Sequence, residues 1–417
     1  MTSKSSTVSS ADAQYIKDIT SYGDDHVLVA AREIYAPDNT KLLHSGARIN
    51  SHILERLLER GTAIPLDQCV SAEDAIRHAD IVAHGQRLAS KSWVMRAILM
   101  SLQDAAATYW ENIEAVLLPP SVATRLTVMA EKNAREFDHA VHALCASVFL
   151  GMAAKLQRPE LRKLATAALL HDVGMHHIDD ALFAAGKPLT TDARHHLLAH
   201  PLIASEIANR EPALGDNASS GIAQHHERID GSGYPHALSG DEINIFGRIL
   251  MLSEVILSQS SQENPFAIRK LAILLRFNHR AFDRSLAESL HATLSRHGTE
   301  TGLSIGDVQG KLSDCESVFA MLSEWRGVAT GSCPATKFLN ERISRLRRWI
   351  AETGMSVDDY AAVSHINEDP SIRSEAICIA REAQWHIRQI AYETTDRFRR
   401  IDTPGTRIWI EKALQAG

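Results

Sequence analysis

The sequence predicts a mainly α protein: a helical bundle preceded by a small hairpin-plus-helix module and followed by a C-terminal helical region. Three observations predict it. Apolar residues recur at helical spacing through most of the chain after residue 125, strand-like text is confined to a short stretch near the N-terminus, and no stretch approaches the roughly 20 apolar residues of a membrane span. At 417 residues the chain exceeds the size at which one core stops growing, so several domains are expected.

Residues 1–20 are rich in Ser and Thr and predict a disordered tail. A hairpin-plus-helix module follows over 21–120. In it HVLVAAREIYA reads as strand, PDNT as a turn, KLLHSGARI as a returning strand, and NSHILERLLERG as a helix opened by Asn50 and stopped by glycine. Residues 72–119 are helical in pattern and end at the breaker Pro119-Pro120. A helical domain is expected over 125–327. Phe137, Val141, Leu144 and Val148 give one helix its apolar face, Pro159 to Asp172 forms a second, and Thr191 opens a third, interrupted at His200-Pro201. Helical text precedes the glycine-rich IDGSGYP and resumes from Phe246 to Ser258. GVATGSCPATK, 327–337, reads as a linker, and 338–417 as further helices with Trp349, Trp385 and Trp409 as packing residues.

With 44 basic and 51 acidic residues and a net charge of -7, the chain carries no basic stripe for long nucleic acids, though a small phosphorylated ligand stays open. The five cysteines are scattered and read as reduced thiols. The polar N-terminus MTSKSSTVSSADAQ has no apolar signal segment, so the expected location is cytoplasmic.

Eleven of the 21 histidines fall between positions 139 and 236. Within that stretch lie the doublet His171-Asp172, the pair His200-Pro201, and the unbroken run HHERIDGSGYP from His225 to Pro235. Histidine is the commonest ligand for a transition metal, and a carboxylate beside one can bridge a second ion, so a polynuclear metal site is expected. Adjacent helical residues face different ways, which lets Asp172 be shared between two ions and lets His225-His226 answer it from the opposite wall.

These motifs resemble the HD-GYP family, a branch of the HD phosphohydrolases known for hydrolysing cyclic di-GMP, over roughly residues 130–275. The resemblance implies an HD-type helical bundle that holds two divalent transition-metal ions, and the mixed His/carboxylate shells favour iron or manganese. It implies a first site of His139, His171, Asp172 and Glu254 and a second of Asp172, His200, His225 and His226, with His171 and Asp172 at the catalytic centre. Glu254 stands where the family usually has aspartate. Arg135 stands where some members have a glutamate for a third metal, so two ions are expected. His176, His177, His195, His196 and His236 fit no ligand position. The loop carrying Asp230, Gly231, Gly233, Tyr234 and Pro235 is expected to shape the substrate pocket, with Tyr234 stacked on or hydrogen-bonded to a guanine.

The implied activity is hydrolysis of cyclic di-GMP to pGpG or GMP. Protein partners in second-messenger signalling and a homodimer are consistent with the family. Two departures bear on turnover. The doublet motif ends in Met175 where the family has a lysine thought to contact phosphate, and Asn264-Pro265-Phe266-Ala267 replaces a stretch with two basic residues. Arg269 and Lys270 lie close enough to compensate, as do His176 and His177. The alternative is a degenerate signalling protein that keeps the metal-binding scaffold and binds ligand or partner without turnover.

Overall fold

The computed structural model describes residues 13–177, 191–260, 266–297, 312–328, 333–355, 370–398, 401 and 403–415. It begins with a helix where a tail was expected. Over α1 (Ala13–Asp25), Tyr15, Ile19 and Tyr22 share one face and are buried, so the expected tail is cut short; residues 1–12 lie outside the described residues.

The strand text after it divides into β1 (Leu28–Ala30) and β2 (Ile34–Tyr35). β2 makes the expected hairpin with β3 (Lys41–Leu43). β1 sits instead in the middle of an antiparallel sheet, between β4 (Arg48–Ile49) and β5 (Val70–Ala72). Strands of two or three residues show too little alternation to be read singly, which is why β5 was missed. α2 (Ser51–Arg60) starts where Asn50 accepts a hydrogen bond from the Ile53 N–H at 2.9 Å and stops at Gly61, whose φ of 74° a side chain would disfavour.

Apart from Val128, which joins it from later in the chain, this first core draws on residues up to about Ala75 and not up to residue 120. α3 (His78–Lys91), α4 (Trp93–Leu102) and α5 (Ala106–Glu114) bury Ile81, Leu88, Val94, Ile98, Tyr109 and Ile113 in a second core, which they share with the helical domain. The double proline therefore marks a start as much as a stop. Pro120 occupies the first turn of α6 (Pro120–Lys132), where its missing N–H costs nothing. The two units are tied by Asp67, whose Oδ2 accepts from Arg125 and Arg210, both at 3.0 Å.

The second core is completed by α7 (Ala134–Ala153), α8 (Arg158–Leu170), α9 (Thr191–Asn209), α10 (Asp216–Ala223), α11 (Ile245–Ser260), α12 (Phe266–Phe277) and α13 (Arg284–His297). α9 runs unbroken through Pro201, against the expected interruption. The third core joins α14 (Leu312–Val328), α15 (Pro334–Glu352), α16 (Pro370–Arg397) and α17 (Pro404–Gln415) to Ile273 and Phe277 of α12. α14 thus packs with the C-terminal helices, and that unit starts before the expected linker. Trp349 and Trp409 are buried as packing residues, whereas Trp385 is 42% exposed. No described helix is long and apolar enough to cross a membrane.

Candidate metal centre and the cavity beside it

Five separate helical segments deliver the predicted ligands to one point. His139 comes from the middle of α7, His171-Asp172 from the end of α8, His200 from α9, and Glu254 from α11, while His225-His226 follow the end of α10. Their ligand atoms form two quartets sharing Asp172: His139, His171, Asp172 and Glu254; and Asp172, His200, His225 and His226. The shared carboxylate splits its oxygens between them. Oδ2 faces His139 at 3.1 Å and His171 at 3.5 Å, whereas Oδ1 faces His200 at 3.1 Å and His225 at 3.4 Å. Glu254 reaches the first quartet despite its position one methylene further out than an aspartate, with Oε1 3.1 Å from His171 and 3.2 Å from His139.

Three of the rings are held in one tautomer by one device. The Nδ1 of His171 lies 2.8 Å from the carbonyl of Ala168, that of His225 2.7 Å from Ile222, and that of His200 2.5 Å from Leu197. A carbonyl only accepts, so each Nδ1 carries a proton and, in the neutral ring, each Nε2 turns a lone pair inward. Every one of these carbonyls is three residues back, at a place where the helix ladder is broken. Two are at helix ends; the third is Leu197, whose partner four residues on would be the N–H that Pro201 lacks.

With neutral rings, the inward-facing Nε2 atoms of His171, His200 and His225 are thus acceptors brought against other ligand atoms. The Nε2 atoms of His200 and His225 are 3.2 Å apart, as are those of His139 and His171, and Asp172 Oδ1 is buried without a hydrogen-bond partner. Such an arrangement is costly unless a cation sits among the lone pairs. Spacings of 3.1–3.5 Å are those of atoms sharing one centre about 2.0–2.2 Å away, the range for nitrogen and carboxylate ligands. The residues fit a pair of divalent ions.

The site's electrostatics carry the same demand. Burial alone would lower the His139 imidazole, but the Asp172 and Glu254 carboxylates hold it protonated, raising it to about 11. The same two groups raise His171 against its burial. Burial, with the neighbouring imidazoles His225 and His200, keeps His226 neutral. A proton on the first quartet is doing what a metal charge does more strongly.

Residues 117–270 match the family model of the HD domain. This part of the chain is an HD domain, and it is similar to that of cyclic dinucleotide phosphodiesterases. It is 32% identical over 140 residues to "Cyclic di-GMP phosphodiesterase response regulator RpfG" of Xanthomonas campestris, covering 32% of this chain and 37% of that protein. A cyclic di-GMP phosphodiesterase of Pseudomonas aeruginosa is 27% identical over 191 residues, covering 45% of this chain and 46% of that one. A 3'3'-cGAMP-specific phosphodiesterase of Vibrio cholerae is 34% identical over 142 residues, 32% of this chain and 27% of that one. The chain thus spans less than half the length of the relatives it matches.

Two glycines let the HD domain close around the centre. A Cβ on Gly174 would stand 2.1 Å from the His200 carbonyl oxygen, so only glycine lets the turn after Asp172 lie against α9. A Cβ on Gly233 would meet main-chain atoms of His226, Glu227 and Arg228 within 2.5 Å. The loop is drawn in by Glu227, a buried residue that the sequence reading passed over. Its carboxylate accepts from the His236 N–H at 2.6 Å and the Leu238 N–H at 3.0 Å, although burial raises its pKa. Asp230 turns back on its own loop, accepting from the Ser232 N–H and hydroxyl. Tyr234 stacks on His226 with centroids 4.6 Å apart.

Beside the metal ligands opens a cavity of about 870 Å³. His226, Glu254, Gly231, Gly233, Tyr234 and Lys270 line it, whereas Asp230, Pro235 and Met175 do not. Met175 is half-buried, its N–H on the Asp172 carbonyl at 2.8 Å, and its neighbour His176 is paired with Glu136. Ala267 is fully buried, so a basic side chain there would enter the core. Asn264 and the side chains of Phe266 and His177 lie outside the described residues. The opposite wall comes from the C-terminal helices, in which the sequence showed no chemistry. α16 crosses the opening: Asp396 pairs with Arg194, Trp385 lies under the Arg228 guanidinium at 4.8 Å, and Glu382 accepts from Asn278 at 2.8 Å.

Proposed function

We propose that this chain is a metal-dependent phosphodiesterase that opens cyclic di-GMP to linear pGpG, with GMP as a further product. The observation that carries the reading is the pair of ligand quartets joined by Asp172, one carboxylate oxygen to each. We assign to them two divalent transition ions, iron or manganese, because mixed imidazole and carboxylate sets suit both. When bound, such ions supply the positive charge that draws electrons from a phosphodiester and makes water nucleophilic at neutral pH.

The chain's own residues do the rest. The carbonyl tethers on His171, His200 and His225 hold their rings in the ligating tautomer, and Glu227 fixes the loop that places Tyr234 over His226. Tyr234 and Lys270 then face the cavity where a nucleotide would lie. The completeness of both quartets weighs against the alternative of a signalling protein without turnover. We place the reaction in the cytoplasm, with long nucleic acids as poor substrates because the chain's net charge is -7.

The reading is tested by incubating the metal-loaded chain with cyclic di-GMP and, in parallel, 3'3'-cGAMP. Linear product is expected, lost on chelation and in His225→Ala. Equal rates in the presence of chelator would remove the basis of the assignment.

A further inference from the structure

Among the described residues, the cavity is lined by seven basic side chains and four acidic ones, in a chain whose net charge is -7. Four of the seven, Arg342, Arg345, Arg381 and Arg397, lie on α15 and α16, outside the HD domain. The acids are already engaged. Glu254 faces His139 and His171, Asp396 pairs with Arg194, Glu393 accepts from Arg342 at 2.8 Å, and Glu382 accepts from Asn278. Arg345 has the exposed Glu341 one turn back at 3.4 Å, and Arg397 lies over the Phe338 ring at 5.2 Å. Neither contact neutralises charge inside the cavity.

Two buried polar atoms on the same cavity are also without partners. The Trp349 indole N–H, on a residue 5% exposed, and Gln259 Oε1, on one 3% exposed, make no hydrogen bond among the described residues. One is a donor and the other an acceptor, and a purine edge offers both complements. Surplus positive charge and unsatisfied polar atoms around one cavity describe a ligand that is anionic and carries bases.

A cyclic dinucleotide has two phosphodiesters on opposite sides of its ring, so only one can lie at the metal centre. We propose that the C-terminal helices complete the substrate site, with Arg345 and Arg397 holding the phosphodiester remote from the metals and Trp349 and Gln259 meeting a base edge. This rests on the reading of the chain as a cyclic dinucleotide phosphodiesterase. It makes the two arginines positioning residues that select a two-phosphate ring over a ligand with one diester, and it supplies on another element the positive charge that Met175 and Ala267 do not.

The test uses the full metal-loaded chain, titrated with the bis-phosphorothioate analogue of cyclic di-GMP, which is cleaved slowly, and with cyclic GMP, which has one diester. In Arg345→Ala/Arg397→Ala the affinity for the cyclic dinucleotide is expected to fall by about tenfold or more per guanidinium, the worth of a charge-assisted contact, and its ionic-strength dependence to flatten. Its preference over cyclic GMP should collapse. Arg345→Lys/Arg397→Lys, which keeps the charge, should retain most of that preference and serves if the alanine pair does not fold. Retained preference with an unchanged salt dependence in the alanine pair, or in a pair of Arg345→Gln and Arg397→Gln, overturns this inference alone. A wild-type chain that binds neither ligand overturns it together with the proposed function.

Discussion

Replacing Gly174 by alanine tests how closely the two halves of the metal centre depend on one main-chain contact. The new Cβ would stand 2.1 Å from the carbonyl oxygen of His200, 2.9 Å from its carbon and 3.1 Å from the nitrogen of Ala204, where ordinary contact begins near 3.4 Å. All three are main-chain atoms of α9, so no side-chain rotation relieves the overlap. The turn after Asp172 and the helix bearing His200 must separate by about 1 Å, in an interior packed too densely to absorb it. Asp172 Oδ1 and His200 Nε2 lie 3.1 Å apart across that contact. Metal sites hold their distances to within about 0.2 Å, so the second quartet fails while the first, which does not span α9, keeps its ligands. Gly174→Ala is therefore expected to bind about half the wild-type metal, to lose roughly 1–3 kcal/mol of stability through overpacking, and to turn over about 100-fold more slowly. Elemental analysis, thermal melting and product formation from cyclic di-GMP check the three on one preparation. A variant with full metal content and an unchanged melting temperature would refute the reasoning.

Pro201→Ala restores an N–H that competes with His200 Nδ1 for the Leu197 carbonyl. Helix stability should hold or rise while metal affinity at the second quartet falls by up to about tenfold, read by competition with a chelating dye. Glu227→Gln replaces a carboxylate that accepts from two main-chain N–H groups by an amide that can accept from one. It should cost about 1.5–3 kcal/mol in thermal unfolding and raise KM, with metal content unchanged. Met175→Lys adds a cation off the cavity wall, so KM for cyclic di-GMP should stay within about twofold of wild type; a marked fall would place residue 175 against the substrate. Trp385→Ala removes the ring beneath Arg228 and should weaken the closure of α16 over the cavity, seen as faster amide exchange along α16.

The candidate ligands were legible because their types and order are chemically specific. A His-Asp doublet, a His-Pro and a His-His run have few other uses in that sequence, and the structure gathers His139, His171, Asp172, His200, His225, His226 and Glu254 at one place. The long helices were legible for a different reason: repeated apolar spacing over many residues averages out local exceptions. What escaped was set by contacts distant in sequence. β5 is three residues long and is a strand only because β1 lies beside it. Pro201 reads locally as a helix breaker, yet Ala204 and Ile207 anchor α9 in the core on its far side, so packing outweighs one missing hydrogen bond. The boundary placed at Pro119-Pro120 followed turn chemistry, whereas the domain is defined by which core Ile81, Val94 and Tyr109 enter. Nothing in α15 or α16 taken alone marks Arg345, Trp349 or Trp385 as cavity residues; only their approach to the HD domain does so.

The central claim is that the paired quartets form a hydrolytic two-metal centre, and it is tested most directly by one reconstitution. The chain is loaded anaerobically with iron or manganese, its metal content is fixed by elemental analysis, and cyclic di-GMP is added to the wild type and to Asp172→Asn side by side. The account predicts about two ions per chain and release of pGpG by the wild type, with loss of both ions and of product in Asp172→Asn, because its carboxylate serves both quartets. A fully loaded wild-type chain that leaves cyclic di-GMP intact, or an Asp172→Asn chain that keeps both ions and the wild-type rate, would contradict it.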